Sequence, residues 1–167
     1  TIPHLAHVEE RDRFSFKNPA IPFRGREAEL AELDAFLDSD APFAWHMLTG
    51  GGGAGKSRLA LQLCRLRDGA WRVGFAREPA SRGDDTVFVR EDWRPGKPHL
   101  IVVDYVIANA ALVRALLATF ATRMTPFPHR VRVLLIERED NPLTENQAWG
   151  ASTDRKSTRL NSSHLVI

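Results

Sequence analysis

The segment Gly50-Gly51-Gly52-Gly53-Ala54-Gly55-Lys56-Ser57 constrains this chain more than any other. It fits the pattern G-x-x-x-x-G-K-[ST] and lies between two segments of different periodicity. Before it, Phe43–Leu48 is a short, mostly apolar run of strand type. After it, Leu59, Ala60, Leu63 and Leu66 recur at helical spacing. A strand that turns through glycines directly into a helix lets successive backbone N–H groups converge on an anion, because glycine admits torsions closed to other residues. The helix start adds the positive end of its dipole at the same place. Lys56 then serves as a mobile charge for the β- and γ-phosphates, and Ser57 offers a hydroxyl to magnesium. These residues predict a site for a nucleoside triphosphate and its metal ion.

The rest of the chain supplies the frame such a loop needs. From Arg26 to Leu37, Leu30, Leu33, Phe36 and Leu37 share one helical face, and Asp38-Ser39-Asp40-Ala41-Pro42 ends the helix. Trp71–Ala76 is a strand candidate, and a weaker one lies at Thr86–Val89 within a polar, turn-rich stretch. Leu100–Val103 and Val131–Ile136 are continuous apolar runs of the kind buried on both faces. Between them Leu112, Val113, Leu116, Leu117 and Phe120 form an amphipathic helix that stops before Pro126. This alternation predicts an α/β fold of P-loop NTPase type, an incomplete doubly wound parallel sheet flanked by helices. Ligands of such sheets bind at the carboxyl ends of the strands, where Gly50–Ser57, Asp104 and Glu137–Arg138 all fall.

Two further residues acquire roles from that placement. His99-Leu100-Ile101-Val102-Val103-Asp104 delivers a carboxylate 48 residues beyond Lys56, where Asp104 is expected to hold magnesium beside Ser57. Arg138 either senses the γ-phosphate and neutralises charge that builds during transfer, or is a surface residue paired with Glu137, Glu139 or Asp140. Lys56, Asp104 and Arg138 are thus the candidate catalytic set.

Composition excludes several other functions. The pI of 9.0 invites a nucleic-acid reading. However, three of the 23 basic residues and one of the 21 acidic ones lie in 154–167, which leaves 20 of each in 1–153. That balance gives no case for a polyanion partner. No run of about 18 apolar residues occurs, so no membrane span is expected. The opening TIPHLAHVEERDRF has no secretory pattern, and the single cysteine, Cys64, cannot form an internal disulfide; both fit a cytoplasmic protein. Cys64 reads as a buried helix thiol, Trp45, Trp71, Trp93 and Trp149 as packing residues, and the six histidines show no metal-ligand spacing.

Three parts are expected: an extended lead-in over 1–22, a nucleotide-binding domain over 23–153, and a tail over 154–167 outside the fold. Asp154–His164, DRKSTRLNSSH, back-translates to a sequence that resembles a library adapter read in frame. The beginning also lacks an initiator Met, so the natural sequence is expected to be a fragment cut at both ends, running from about Thr1 to Thr153.

Residues from about Phe23 to Glu139 resemble the STAND branch of P-loop ATPases, related to NACHT, NB-ARC and AAA+ modules. Four ordered segments carry the resemblance. Phe23-Arg24-Gly25-Arg26-Glu27-Ala28-Glu29-Leu30 is similar to the family's "GRExEL" opening, which implies that Arg24 and Gly25 lie near the adenine. The Walker A segment, Gly50 to Ser57 with Ala54 inside it, continues into Arg58-Leu59-Ala60-Leu61 as it does in many relatives. Val103-Asp104-Tyr105 is similar to the "VVDYAE" variant of Walker B, and Arg132-Val133-Leu134-Leu135-Ile136-Glu137-Arg138 to the sensor strand. The resemblance implies ATP with Mg2+ as ligands, slow hydrolysis, and a regulatory switch whose protein partners or self-association act through domains beyond this segment.

The chain departs from that pattern where water would be activated. Tyr105 stands where many relatives place an acid after the Walker B aspartate, and Ile107 replaces the acid of "DYAE". Glu137, Asp84 and Asp85 are the remaining candidate bases. The competing expectations are an AAA+-like ATPase acting on DNA and a nucleotide-binding module that does not hydrolyse.

Overall fold

The computed structural model describes residues 22–76 and 92–138, together with the backbone of a strand over 162–166. The lead-in over 1–21, the strand candidate Thr86–Val89, the carboxylates Asp84 and Asp85, and residues 139–153 lie outside the described residues. The elements follow in the order α1 (Glu27–Asp38), β1 (Phe43–Thr49), α2 (Lys56–Arg67), β2 (Arg72–Phe75), β3 (His99–Asp104), α3 (Ala110–Ala121), β4 (Val131–Ile136) and β5 (Ser162–Val166). The strands form one sheet in the order β2-β3-β4-β1-β5, and every pairing is parallel. This is an α/β architecture with helices packed on the sheet.

Both sheet faces are covered, and the period of two along each strand decides which residue faces which layer. Ala44 and Leu48 of β1, Leu100 and Val102 of β3, and Leu134 and Ile136 of β4 point to one side. There they pack with Leu33, Phe36 and Leu37 of α1 and with Leu59, Leu63 and Cys64 of α2. Met47, Ile101, Val103, Val131, Val133 and Leu135 point to the other side, against Leu112, Val113, Leu116 and Phe120 of α3. Burial on both faces explains the unbroken apolar runs at Leu100–Val103 and Val131–Ile136. Cys64 is buried within α2, and burial, with Asp68 adding to it, pushes its thiol up to about 12. Trp71 belongs to the first layer, while Trp45 and Trp93 pack against the second.

Residues 162–166 form β5 beside β1, at the end of the segment that the sequence places outside the fold. The physical reason lies in β1. Its edge away from β4 presents a row of backbone donors and acceptors that an extended segment satisfies by pairing.

Arg132 is the residue that the apolar run conceals. Its side chain is fully buried in β4. Its guanidinium donates from Nε to the Phe36 carbonyl (3.0 Å) and from Nη2 to the Ser39 carbonyl (2.6 Å) and the Ser39 Oγ (3.0 Å). Those oxygens lie at the carboxyl end of α1, where helix carbonyls lack helical partners and the dipole is negative. Burial lowers the Arg132 pKa to about 10, helped by nearby Arg130 and opposed by Asp38, so the group remains cationic at neutral pH. The sheet thereby caps the helix that packs on it. A second link joins α1 to α2: Arg67 pairs with Asp34 at 3.0 Å and with Asp38 at 2.9 Å. Burial works against the Arg67 charge, but the bonds to Asp38 and Asp34 outweigh it and raise the pKa.

Replacing Arg132 by Met preserves most of the apolar stem and removes the guanidinium donors to the Phe36 and Ser39 oxygens, leaving the Phe36 carbonyl with the Ser39 hydroxyl alone. Chemical denaturation should report a loss of about 2–4 kcal/mol, because the charged donors to the Phe36, Val131 and Ser39 carbonyls are lost together. A loss within about 0.5 kcal/mol of zero would show that the cap contributes nothing.

Candidate functional site

Three strand ends are level with one another at one edge of the sheet. The register pairs Leu48 of β1 with Ile136 of β4, and Ile136 with Asp104 of β3. The segments that leave these ends are therefore neighbours: the glycine loop after Thr49, the turn after Asp104, and Glu137-Arg138 after β4.

The glycine loop closes on itself and on Lys56. Ala54 N–H donates to the Gly51 carbonyl at 3.2 Å. Lys56, the first residue of α2, is 8% exposed, and its Nζ donates to the carbonyls of Gly50 (2.6 Å) and Gly51 (2.8 Å). An ammonium has three N–H donors, so two of them are held on the loop itself. Gly53 adopts φ +78°, a left-handed torsion that costs a residue with a Cβ about 1–2 kcal/mol. Gly55 caps α2 in the same region, at φ +86°.

Ser57 and Asp104 meet across the site. Ser57 Oγ donates to Asp104 Oδ2 at 2.6 Å, joining the first turn of α2 to the end of β3. The other carboxylate oxygen, Oδ1, accepts the Tyr105 N–H at 2.9 Å. Tyr105 is exposed and has φ +55°, unusual for a residue with a bulky side chain. Asn109 holds that turn, its Nδ2 donating to the carbonyls of Asp104 (2.9 Å) and Tyr105 (3.2 Å). Position 105 thus acts through its backbone, as the residue that turns the chain away from the end of β3.

Glu137 is nearly fully buried, at 5% exposure. Its Oε2 accepts the Ile107 N–H at 2.9 Å and its Oε1 the Arg138 N–H at 2.8 Å, while its own N–H donates to the Leu48 carbonyl at 3.2 Å. The candidate base is engaged at both oxygens. Arg138 itself is exposed, and its guanidinium lies over the glycine loop: a Cβ built on Gly52 would meet Nη2 at 3.2 Å and Cζ at 3.4 Å. The sequence left Arg138 between a phosphate-facing role and a surface ion pair; its guanidinium stands beside Gly52, and Glu137 receives its backbone N–H.

Of the residues implied by the "GRExEL" resemblance, Arg24 and Gly25 are exposed just before α1. The next residue, Arg26, contacts the loop. Its Nη2 donates to the Ala54 carbonyl at 2.9 Å and its Nη1 to Glu29 at 2.7 Å. The Arg26 bond is the first cause of the lowered Glu29 pKa. No periodicity marks Arg26 for this contact, since its partner is a main-chain oxygen 28 residues away. Arg58 is half-buried in the first turn of α2.

The arrangement offers converging cations (Lys56, Arg26, Arg138) around an exposed glycine turn, with a hydroxyl and a carboxylate in contact beside it. Among the described residues, no three or more His, Cys, Asp or Glu side chains group to hold a metal ion. Any metal here would use Ser57 and Asp104 together with a ligand's own oxygens. No family model matches the sequence, and no curated protein is significantly similar to it.

Gly52 and Gly53 should respond differently to an added methyl group. Gly53→Ala should lose about 1–2 kcal/mol in urea denaturation because its torsion is left-handed. Gly52→Ala meets only the flexible end of Arg138 and should lose under about 0.5 kcal/mol. Equal losses at the two positions would contradict this geometry of the loop.

Proposed function

We propose that this chain carries a P-loop nucleotide-binding domain that takes ATP with Mg2+, as part of a STAND-like regulatory switch with slow hydrolysis to ADP and phosphate. The observation that carries the reading is the 2.6 Å contact of Ser57 with Asp104 next to the glycine loop. It joins two residues, 47 apart in the chain, that the loop pattern and the strand pattern assign independently to magnesium.

The residues present fit that ion. Magnesium takes oxygen ligands and is bound through one or two protein groups plus substrate phosphates and water, rather than by a full protein cage. Ser57 and Asp104 are such a pair of oxygen donors, already adjacent. When bound, the ion would neutralise charge on the β- and γ-phosphates.

The chain's own groups account for the remaining recognition. The Gly51–Gly55 backbone surrounds the phosphates, and the start of α2 adds its dipole. Lys56 exchanges its two loop carbonyls for phosphate oxygens, a stronger, charge-assisted partner. Arg138 lies against Gly52, and from there it would offset charge that develops on the outermost phosphate.

One observation favours the second reading, a nucleotide-binding module that does not hydrolyse. Tyr105 and Ile107 carry no acid, and both oxygens of Glu137 are already engaged by backbone N–H groups. Phosphoryl transfer to water depends on a positioned base or water-orienting group. Both readings share the nucleotide site, and partners would act through domains beyond this segment. The AAA+-like reading on DNA draws no support from the charge balance. Among the described residues no helix is long and apolar enough to cross a membrane.

Calorimetric titration of ATP with magnesium into the wild type and Lys56→Ala tests the shared claim. The variant should bind at least about 10-fold more weakly, the scale of losing a charge-assisted contact. Equal affinity, or none in a folded wild type, would remove the proposal. Phosphate release by the wild type, absent from Lys56→Ala, then separates the switch with hydrolysis from the module without it.

A further inference from the structure

We infer that Glu137 is a positioning residue: it fixes the metal-side carboxylate and the phosphate-side guanidinium relative to the glycine loop, and it does not activate water. This inference rests on the reading of the site as one for Mg–ATP.

The argument begins with what Glu137 touches. Its main-chain N–H donates to the Leu48 carbonyl, one residue before the end of β1 and two before the glycine loop begins. One carboxylate oxygen accepts the Ile107 N–H, 30 residues away, in the turn that opens at Asp104. The other accepts the N–H of Arg138, whose side chain lies against Gly52. Val106 N–H adds a bond to the Ile136 carbonyl at 3.3 Å, so the same turn is fastened to the end of β4 twice. Glu137 therefore joins the three strand ends that carry the loop, Asp104 and Arg138: its main-chain N–H holds the end of β1, and its buried side chain holds the turn after Asp104 and the Arg138 backbone.

The chemistry of the partners distinguishes positioning from base catalysis. Both donors are main-chain N–H groups: that of Ile107 cannot leave without moving the turn, nor that of Arg138 without moving the backbone after β4. A buried carboxylate bonded in this way gives roughly a tenfold or greater preference for the bonded arrangement per contact. A base, in contrast, needs an oxygen presented to a water molecule at the phosphate, and Glu137 is 5% exposed. Glutamine is the informative replacement because it keeps the volume. Its amide has one acceptor oxygen and one NH2 group, so one of the two N–H donors must face another donor.

The test uses the full chain and three variants: Glu137→Gln, Glu137→Asp and, as a control, Lys56→Ala. Binding of ATP with magnesium and of ADP without metal is measured by titration, and exchange of the Ile107 and Arg138 amide protons is followed by NMR without nucleotide. All are read at temperatures where each variant is folded by circular dichroism. Positioning predicts that Glu137→Gln weakens Mg–ATP about 10-fold and metal-free ADP less than about 2-fold, while at least one of the two amides exchanges about 10-fold faster. Glu137→Asp keeps the charge but is one methylene shorter, and should shift binding in the same direction.

Unchanged Mg–ATP affinity with phosphate release abolished in both Glu137 variants would make Glu137 the base and overturn the inference. Unchanged exchange at both amides would overturn it as well. If the wild type shows no Lys56-dependent binding, the inference falls with the nucleotide reading. The exchange rates, which need no nucleotide, then identify which of the two claims failed.

Discussion

Every contact at the candidate site depends on one constraint, the parallel register that inserts β4 between β1 and β3. Leu48, Ile136 and Asp104 sit level across those strands, so the chain leaves the sheet at three adjacent points. A shift of one residue in β4 would exchange its two faces. Arg132 would then point at α3, and Leu135 at α1 and α2. Arg132 opposes that slip, since its guanidinium finds the carbonyl end of α1 on one face only. The polar residue within an apolar strand thus specifies the register on which the site depends.

Three of the charged groups at the site, Lys56, Arg26 and Asp104, have partners within the chain itself. Lys56 rests on two loop carbonyls, Arg26 on a third, and Asp104 on Ser57 and the Tyr105 N–H. On the proposed reading, a ligand would replace existing bonds at Lys56 and Asp104. The loop carbonyls bonded to Lys56 and Arg26 are drawn toward cations, a bias that favours N–H groups facing an anion. On the proposed reading, a phosphate oxygen, as a stronger acceptor than a carbonyl, would give the exchange at Lys56 a direction.

The fold was largely legible because its strands are buried on both faces and its helices are amphipathic. Val131–Ile136 coincides in sequence and structure, and the other anticipated strands and α1 differ by a residue or two at their ends, where periodicity is least informative. The loop and Asp104 were legible for a related reason: strand termini in a parallel sheet converge, so residues there are placed by topology alone. What could not be read depends on side chains reaching main-chain atoms. Arg132 on Phe36, Arg26 on Ala54 and Glu137 on Ile107 each have a backbone partner, which leaves no mark in the sequence at the other end. For the same reason Tyr105 reads as a missing acid, whereas in the fold its left-handed backbone makes a turn. Strand β5 was not anticipated, because its pairing follows from the open edge of β1 rather than from a pattern of its own.

The central claim is that the loop from Gly50 to Ser57 receives phosphates through its backbone. Amide NMR of the isotopically labelled chain, titrated with ATP and magnesium, observes those N–H groups directly. The account predicts that the largest shifts fall on Gly51 to Ser57, with smaller ones at Tyr105 and Arg138, and that Lys56→Ala suppresses them. Shifts centred elsewhere, or loop shifts equal in Lys56→Ala and wild type, would contradict it.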